Sequence, residues 1–294
     1  MSHRFYSRKC INVKRFIPFA ALCLLLICAV IVGMHALFQK TKISYDDSIL
    51  GSAYADSEMP VPTATPKPTV PPGFIVETAR HEADFIDIYN QYEQRIAYLT
   101  FDDGPTANIT PQMLDILKEK GVTATFFVLG QNVAAHPDLA KRAVSEGHIL
   151  ANHSYSHNYT TLYGDDINLF KEEVQKAEKA IINTVGEEGC VKIFRFPGGS
   201  FEAKKDPQKH ALLEIGYRYL DWNALSGDAE GQNVPPESQL AYVKKTVGKK
   251  RNAVILMHDA ATKQTTVDAL SGIIDYLKGE GFVFKNLKDA MALS

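Results

Sequence analysis

Residues 95–294 predict an α/β fold built on a parallel sheet, and three features carry the prediction. Seven short apolar runs, "IAYLTF" (96–101), "VTATFFVLG" (122–130), "GHILANHS" (147–154), "VKIFRFPGG" (191–199), "YRYLDWN" (217–223), "NAVILMHD" (252–259) and "GFVFKNL" (281–287), alternate strictly with six amphipathic stretches near 109–120, 133–146, 165–185, 207–216, 236–248 and 263–280. The runs are almost continuously apolar, as strands covered by helices on both faces are. Residues with chemistry to offer follow the runs. Asp102 and Asp103 come after the first, His153 and His157 after the third, and Arg195 after the fourth; Asp228 lies beyond the fifth, and His258 and Asp259 close the sixth. In parallel α/β sheets the active face lies beyond the carboxyl ends of the strands, so one rim should gather all of them. The periodicity leaves two closures open, a doubly wound sheet or a barrel.

The segments before this domain read differently. Residues 1–15 carry Arg4, Arg8, Lys9, Lys14 and Arg15 and no acid. Phe16–Phe38, "FIPFAALCLLLICAVIVGMHALF", has no Asp, Glu, Lys or Arg, and at about 1.5 Å per residue it is long enough to cross a hydrocarbon core of about 30 Å. Residues 16–38 are therefore expected to be a transmembrane anchor. By the positive-inside rule residues 1–15 are cytoplasmic, which makes this a single-pass protein of the cell membrane with everything after the anchor extracellular. The alternative is a cleaved signal peptide, since Ala53-Tyr54-Ala55 resembles a processing site, but that site lies well beyond the apolar run. Residues 39–94 read as a stalk and a pre-domain segment. Six prolines in "SEMPVPTATPKPTVPPG" (57–73) make an extended linker, which at about 3.1 Å per residue holds the next domain tens of ångströms from a bilayer.

Composition excludes other classes. The 294-residue chain has a net charge of −2, but once the five basic residues ahead of the anchor are set aside, 27 bases face 34 acids. Such a remainder has no bulk electrostatic reason to bind nucleic acid. Of four cysteines only Cys190 lies beyond the expected anchor, so no internal disulfide is available there. Cys190 reads as a small apolar residue beside a strand.

The run "LTFDDGP" (99–105) sets two carboxylates side by side. Like charges at close range disfavour one another's ionisation, although Asp-Asp-Gly-Pro is also good turn chemistry anywhere. In "NHSYSHNYT" (152–160) His153 and His157 are four apart, a spacing that on a helical turn stacks two imidazoles on one face. A bare pair at that spacing also describes two unrelated surface histidines. With Asp103 on the same rim, however, the pair completes a two-histidine, one-carboxylate set with a position left for water. Zinc or cobalt suits those donors better than calcium or magnesium. A bound cation removes the repulsion at Asp102 and Asp103, which frees Asp102 to take a proton from water. His258, at the end of another strand, is placed to give a proton to a leaving group.

In this order and at these separations "TFDDGP", "HSYSH", "RFPGG", "WNALSGD" and "LMHD" resemble the five motifs of the NodB-like polysaccharide deacetylases, carbohydrate esterase family 4, over about residues 95–290. The resemblance implies a distorted (β/α) barrel of about seven strands and metal-dependent removal of acetyl groups from N-acetylated sugars of peptidoglycan or chitin. It implies Asp102 as base, Asp103, His153 and His157 as metal ligands, Arg195 as the partner that keeps the base oriented and ionised, and His258 as acid. The fourth motif admits two registers for the aspartate that tunes His258. Asp221-Trp222 has the family's dipeptide, whereas Asp228, followed by Ala229 in place of a second tryptophan, keeps Trp222 on the strand as a wall for the acetyl group; Asp228 is the preferred register. Gly198 stands where the family often has tyrosine, leaving its N–H to help hold an oxyanion. Tyr155, Tyr159, Tyr163 and Phe201 are candidate platforms for sugar rings. The alternatives are an O-acetyl esterase on xylan or peptidoglycan and a catalytically silent, glycan-binding envelope protein.

Overall fold

The computed structural model describes residues 94–291. The expected cytoplasmic segment, anchor and stalk fall outside the described residues, among which no helix is long and apolar enough to cross a membrane. Among the described residues, eight strands and nine α-helices follow one another: β1 (Arg95–Asp102), α1 (Thr110–Lys120), β2 (Thr125–Val128), α2 (Gly130–Ala135), α3 (Pro137–Ser145), β3 (Ile149–Asn152), α4 (Tyr159–Tyr163), α5 (Ile167–Val185), β4 (Cys190–Phe194), α6 (Asp206–Glu214), β5 (Arg218–Tyr219), β6 (Ala224–Leu225), α7 (Pro236–Val247), β7 (Asn252–His258), α8 (Gln264–Gly279), β8 (Phe282–Phe284) and α9 (Leu287–Met291). Expected and observed elements agree in order. The helix expected at 133–146 is interrupted at His136, because Pro137 has no N–H to continue the ladder.

All strand pairs are parallel, in the order β5-β4-β3-β2-β1-β7-β6. β7 lines one edge of β1 from Ile96 to Asp102, while β2 takes Thr100–Asp102 and β8 takes Arg95–Ala97. The strand beyond the seven expected is β6, which follows directly on the fifth apolar run. Leu220 N–H still donates to Phe194 on the β4 side, but Asn223 and Ser226 N–H donate to Val254 and Leu256 of β7. Residues 220–223 thus carry the chain across from one sheet edge to the other. Among the described residues no ladder joins β5 to β6, so covalent chain closes the cylinder. That is the distortion in the barrel.

Period two along the central strands sorts the core into layers. Ala97, Leu99 and Phe101 of β1, with Ala253, Ile255 and Met257 of β7, face a helix-covered layer. Ile96, Tyr98 and Val254 join Phe127 and Ile193 in the second layer. Continuing that alternation puts Asp102 and His258 on the same side as Tyr98 and Val254, at the carboxyl ends of neighbouring strands. They are register partners. A third cluster, with Phe170 stacked on Phe196 at 5.9 Å, supports the loop after β4 from beneath α5.

Phe126 is 1% exposed and stacks on Phe101 at 5.1 Å. Truncating Phe126 to alanine is expected to cost about 3–5 kcal/mol, the usual range for an aromatic deleted from a packed core. Val283→Ala, at a position 41% exposed, should stay within about 0.5 kcal/mol. Urea denaturation of the two variants checks the contrast.

Candidate active site

Asp102 is buried at the end of β1, and its Oδ1 accepts from Arg195 Nη1 at 2.8 Å. The same Nη1 donates to Thr100 Oγ1 at 2.7 Å, Nε to the Leu220 carbonyl at 3.2 Å, and Nη2 to the Asp221 carbonyl at 3.4 Å. The guanidinium lies over the Phe127 ring, 3.9 Å from its centroid. Burial pushes the Asp102 carboxyl above the ordinary carboxylate range; the charges of Arg195 and His258 act against burial without cancelling it. Arg195 therefore orients this group more than it acidifies it. A carboxylate of raised proton affinity suits a proton acceptor.

The next residue points elsewhere because the backbone turns sharply. Asp103 has φ +81°, a conformation uncommon outside glycine. It is held there by its N–H on the Phe127 carbonyl and by Asn132 Nδ2 on its own carbonyl at 2.7 Å. Gly104 N–H donates to Asp259 Oδ1 at 2.8 Å, and Thr110 Oγ1 donates to the other carboxylate oxygen at 2.7 Å. A Cβ at Gly104 would lie 1.9 Å from Asp259 Oδ2, so only glycine fits. Asp259 is a clamp on the turn that carries the paired carboxylates.

Asp103 Oδ1 lies 3.6 Å from Nε2 of both His153 and His157. His153 Nδ1 sits 2.8 Å from the Arg195 carbonyl. A carbonyl only accepts, so Nδ1 carries the hydrogen and Nε2 presents a lone pair. Burial pushes the His153 pKa down to about 3, which keeps it neutral. The expected helical turn is not what joins the histidines. Residues 153–158 are irregular, with Ser154 at φ +75° and His157 at φ +59°, and the loop brings the rings to 5.2 Å. The three ligand atoms lie within 4.8 Å of one another, too far apart to hydrogen-bond and close to the spacing of ligands about 2.1 Å from one tetrahedral ion. This donor set fits a divalent cation.

Across the cleft His258 Nδ1 lies 2.9 Å from Asp228 Oδ1, and His258 N–H donates to Oδ2 at 2.9 Å. Thr266 Oγ1 donates to the same carboxylate, and Lys263 Nζ to the Asp228 carbonyl. Burial works to lower the His258 pKa, but the hydrogen bond and charge of Asp228, with Asp102 and Asp103 behind it, outweigh burial and raise it to about 9. Asp221 does other work. Its carboxylate accepts from Ser200 N–H and Oγ and holds the loop after β4. Of the two aspartates, Asp228 is thus the one that lies against His258.

These groups line one cleft of about 330 Å³, walled by Trp222, Leu225 and Leu256 and bordered by Gly198, Tyr159 and Ala229. Of the four aromatic platforms expected, Tyr159 lines the cleft and Phe201 stands 67% exposed with its ring edge-on to Trp222. Tyr155 instead packs under Lys176, and Tyr163 donates its hydroxyl to the Pro197 carbonyl. Residue spacing gave no role to Asp259, Thr100 or Asn132. For Asp259 the signal was its place next to His258 at a strand end; Thr100, which accepts from Arg195 and donates to the Ile255 carbonyl, and Asn132, which donates to the Asp103 carbonyl, act through isolated hydrogen bonds that leave no pattern.

A family model described as polysaccharide deacetylase matches residues 89–220. A peptidoglycan-N-acetylglucosamine deacetylase of Bacillus cereus is 35% identical over 202 residues, which is 67% of this chain and 71% of that protein. Among solved structures, a CE4 esterase of Streptococcus mutans superposes with a TM-score of 0.63 at 32% identity, over 70% of this chain and 90% of that one. The polysaccharide deacetylase Bc1974 of Bacillus cereus gives 0.59 at 34% identity, over 66% and 92%.

With Asp228→Asn the chief influence raising His258 is lost. Carbon-13 NMR titration of the His258 ring should show a pKa near 9 in the parent protein falling toward the ordinary histidine value of about 6.5 or below in the variant. Because a proton donor works in its protonated form, any activity that depends on it should be lost at lower pH in the variant. Gly104→Ala should lower the unfolding free energy by about 1–3 kcal/mol, since the new methyl must displace a buried, clamped carboxylate.

Proposed function

The chain belongs to the polysaccharide deacetylase family, and from that membership we propose that it removes N-acetyl groups from N-acetylglucosamine in cell-wall peptidoglycan, using a divalent ion, zinc in the first instance, on Asp103, His153 and His157. One observation carries the reading. A buried carboxylate and an imidazole raised to about 9 are register partners on adjacent strands, each with its own charged partner, and both face one cleft beside a three-ligand set. Amide hydrolysis needs that combination, because an amine is expelled only with a proton supplied to its nitrogen. An ester makes a weaker demand on the acid.

When bound, the ion supplies Lewis acidity to a carbonyl oxygen and lowers the pKa of water. The chain's own residues do the rest. Asp102, oriented by Arg195, takes the proton of the attacking water. His258 delivers a proton to the sugar nitrogen, and Asp228 keeps it charged until it does. The acetyl methyl lies against Trp222, Leu225 and Leu256. The named activity of the Bacillus cereus relative supports the choice of peptidoglycan and of the N-acetylglucosamine unit. The same proposal places the chain at the cell membrane, anchored by residues 16–38 with the catalytic domain outside. The sequence carries that part.

Acetate release from N-acetylglucosamine oligomers and peptidoglycan fragments tests the reading. Asp102→Asn should lose about 100-fold or more while keeping its zinc content. Removal of the metal with a chelator should abolish release, and zinc or cobalt should restore it. Wild-type protein that releases no acetate from these substrates with either metal added would sink the proposal.

A further inference from the structure

We propose that the Tyr159 hydroxyl contacts the substrate, as a side-chain donor to the acetyl oxygen that works beside the backbone of Gly198. The inference rests on the deacetylase reading for its substrate and on the following geometry for the residue. Tyr159 opens α4 two residues after His157, is 50% exposed and lines the cleft. Its ring is fixed from both sides, edge-on to His157 at 5.5 Å and to Tyr163 at 5.4 Å. Tyr163 in turn donates to the Pro197 carbonyl at 2.7 Å. Buried Lys205 donates to the Pro197 and Gly199 carbonyls, so both residues flanking Gly198 are tied down. Helix α4 and the loop after β4 thus form one unit.

In that unit the phenol occupies space that a side chain at Gly198 would take. A Cβ at Gly198 would lie 3.0 Å from the Tyr159 oxygen, and φ +75° independently favours glycine there. Gly198 and Tyr159 are a matched pair. The phenol oxygen has no hydrogen-bond partner among the described residues, whereas Tyr163 and Tyr217 use theirs on Pro197 and Asn152. Donors are scarce here. Asp102, Asp103 and Asp228 only accept when ionised, and His153 Nδ1 is already engaged with Arg195. An acyl oxygen lying between the metal-ligand set and Gly198 therefore meets Tyr159 as a neutral side-chain donor held beside Gly198, while the Trp222 indole N–H belongs to the apolar wall.

Tyr159→Phe keeps the ring and removes the oxygen. Zinc-loaded full-length wild type and variant are compared on an N-acetylglucosamine oligomer and on para-nitrophenyl acetate, which has an acetyl oxygen and no sugar. The assignment predicts that kcat falls about tenfold to a hundredfold on both substrates with KM near its wild-type value. Acetate binding, followed by NMR titration, should weaken several-fold, while zinc content and thermal stability stay unchanged. An unaltered kcat on both substrates overturns the assignment. So does a loss confined to the oligomer or to KM, which would put the hydroxyl on the sugar, and so does a loss of zinc or of stability, which would make its role structural. If the wild type spares every glycan yet cleaves the ester, the N-deacetylase reading falls, and the ester and acetate-binding comparisons still decide the role of Tyr159.

Discussion

The ion pair between Arg195 and Asp102 organises the site and much of the barrel around it. Both groups are almost fully withdrawn from water. Placing two charges in such surroundings costs several kcal/mol per ion before their attraction offsets it, so a pair of this kind is poorly explained as a device for stability. Its value lies in what one guanidinium reaches: two groups on β1, two carbonyls of the bridging segment, and the face of Phe127. Carried by the residue just after β4, it joins the strand that bears Asp102 to the stretch that, among the described residues, closes the cylinder.

Adjacent carboxylates at the end of a strand begin as an electrostatic liability, and the backbone resolves it. Strand alternation turns Asp102 inward to Arg195, and the left-handed turn at Asp103 swings its carboxylate toward two imidazoles. The turn holds because Gly104 leaves room for Asp259. One residue's missing side chain thus allows its two neighbours to face different partners.

How much of this the sequence made legible follows from the range of each interaction. Continuous apolar runs report burial on both faces, so the central strands could be read directly, and the five motifs lie at strand ends, so Asp102, Asp103, His153, His157 and His258 meet on one rim. The two-residue β6 was invisible, because a strand that short has no period to detect. The approach of His153 to His157 was expected for the wrong local reason: their spacing suits a helix, but a loop with two left-handed residues performs the task. Tyr155 and Tyr163 failed as ring platforms because composition says nothing about which side of a loop an aromatic side chain takes. The rivalry between Asp221 and Asp228 was a question of register in a segment where the chain leaves one edge and joins another, and tertiary hydrogen bonds alone decide it.

The in-register pairing of Asp102 with His258 fixes a distance. Neighbouring strands stand about 4.8 Å apart wherever a ladder forms, so the interval between the Asp102 and His258 backbones is a dimension of the sheet. Loops around the rim can lengthen, shorten or change composition without moving that interval, because the ladder alone sets it. Changes to the rim and changes to that spacing therefore fall on separate parts of the same chain.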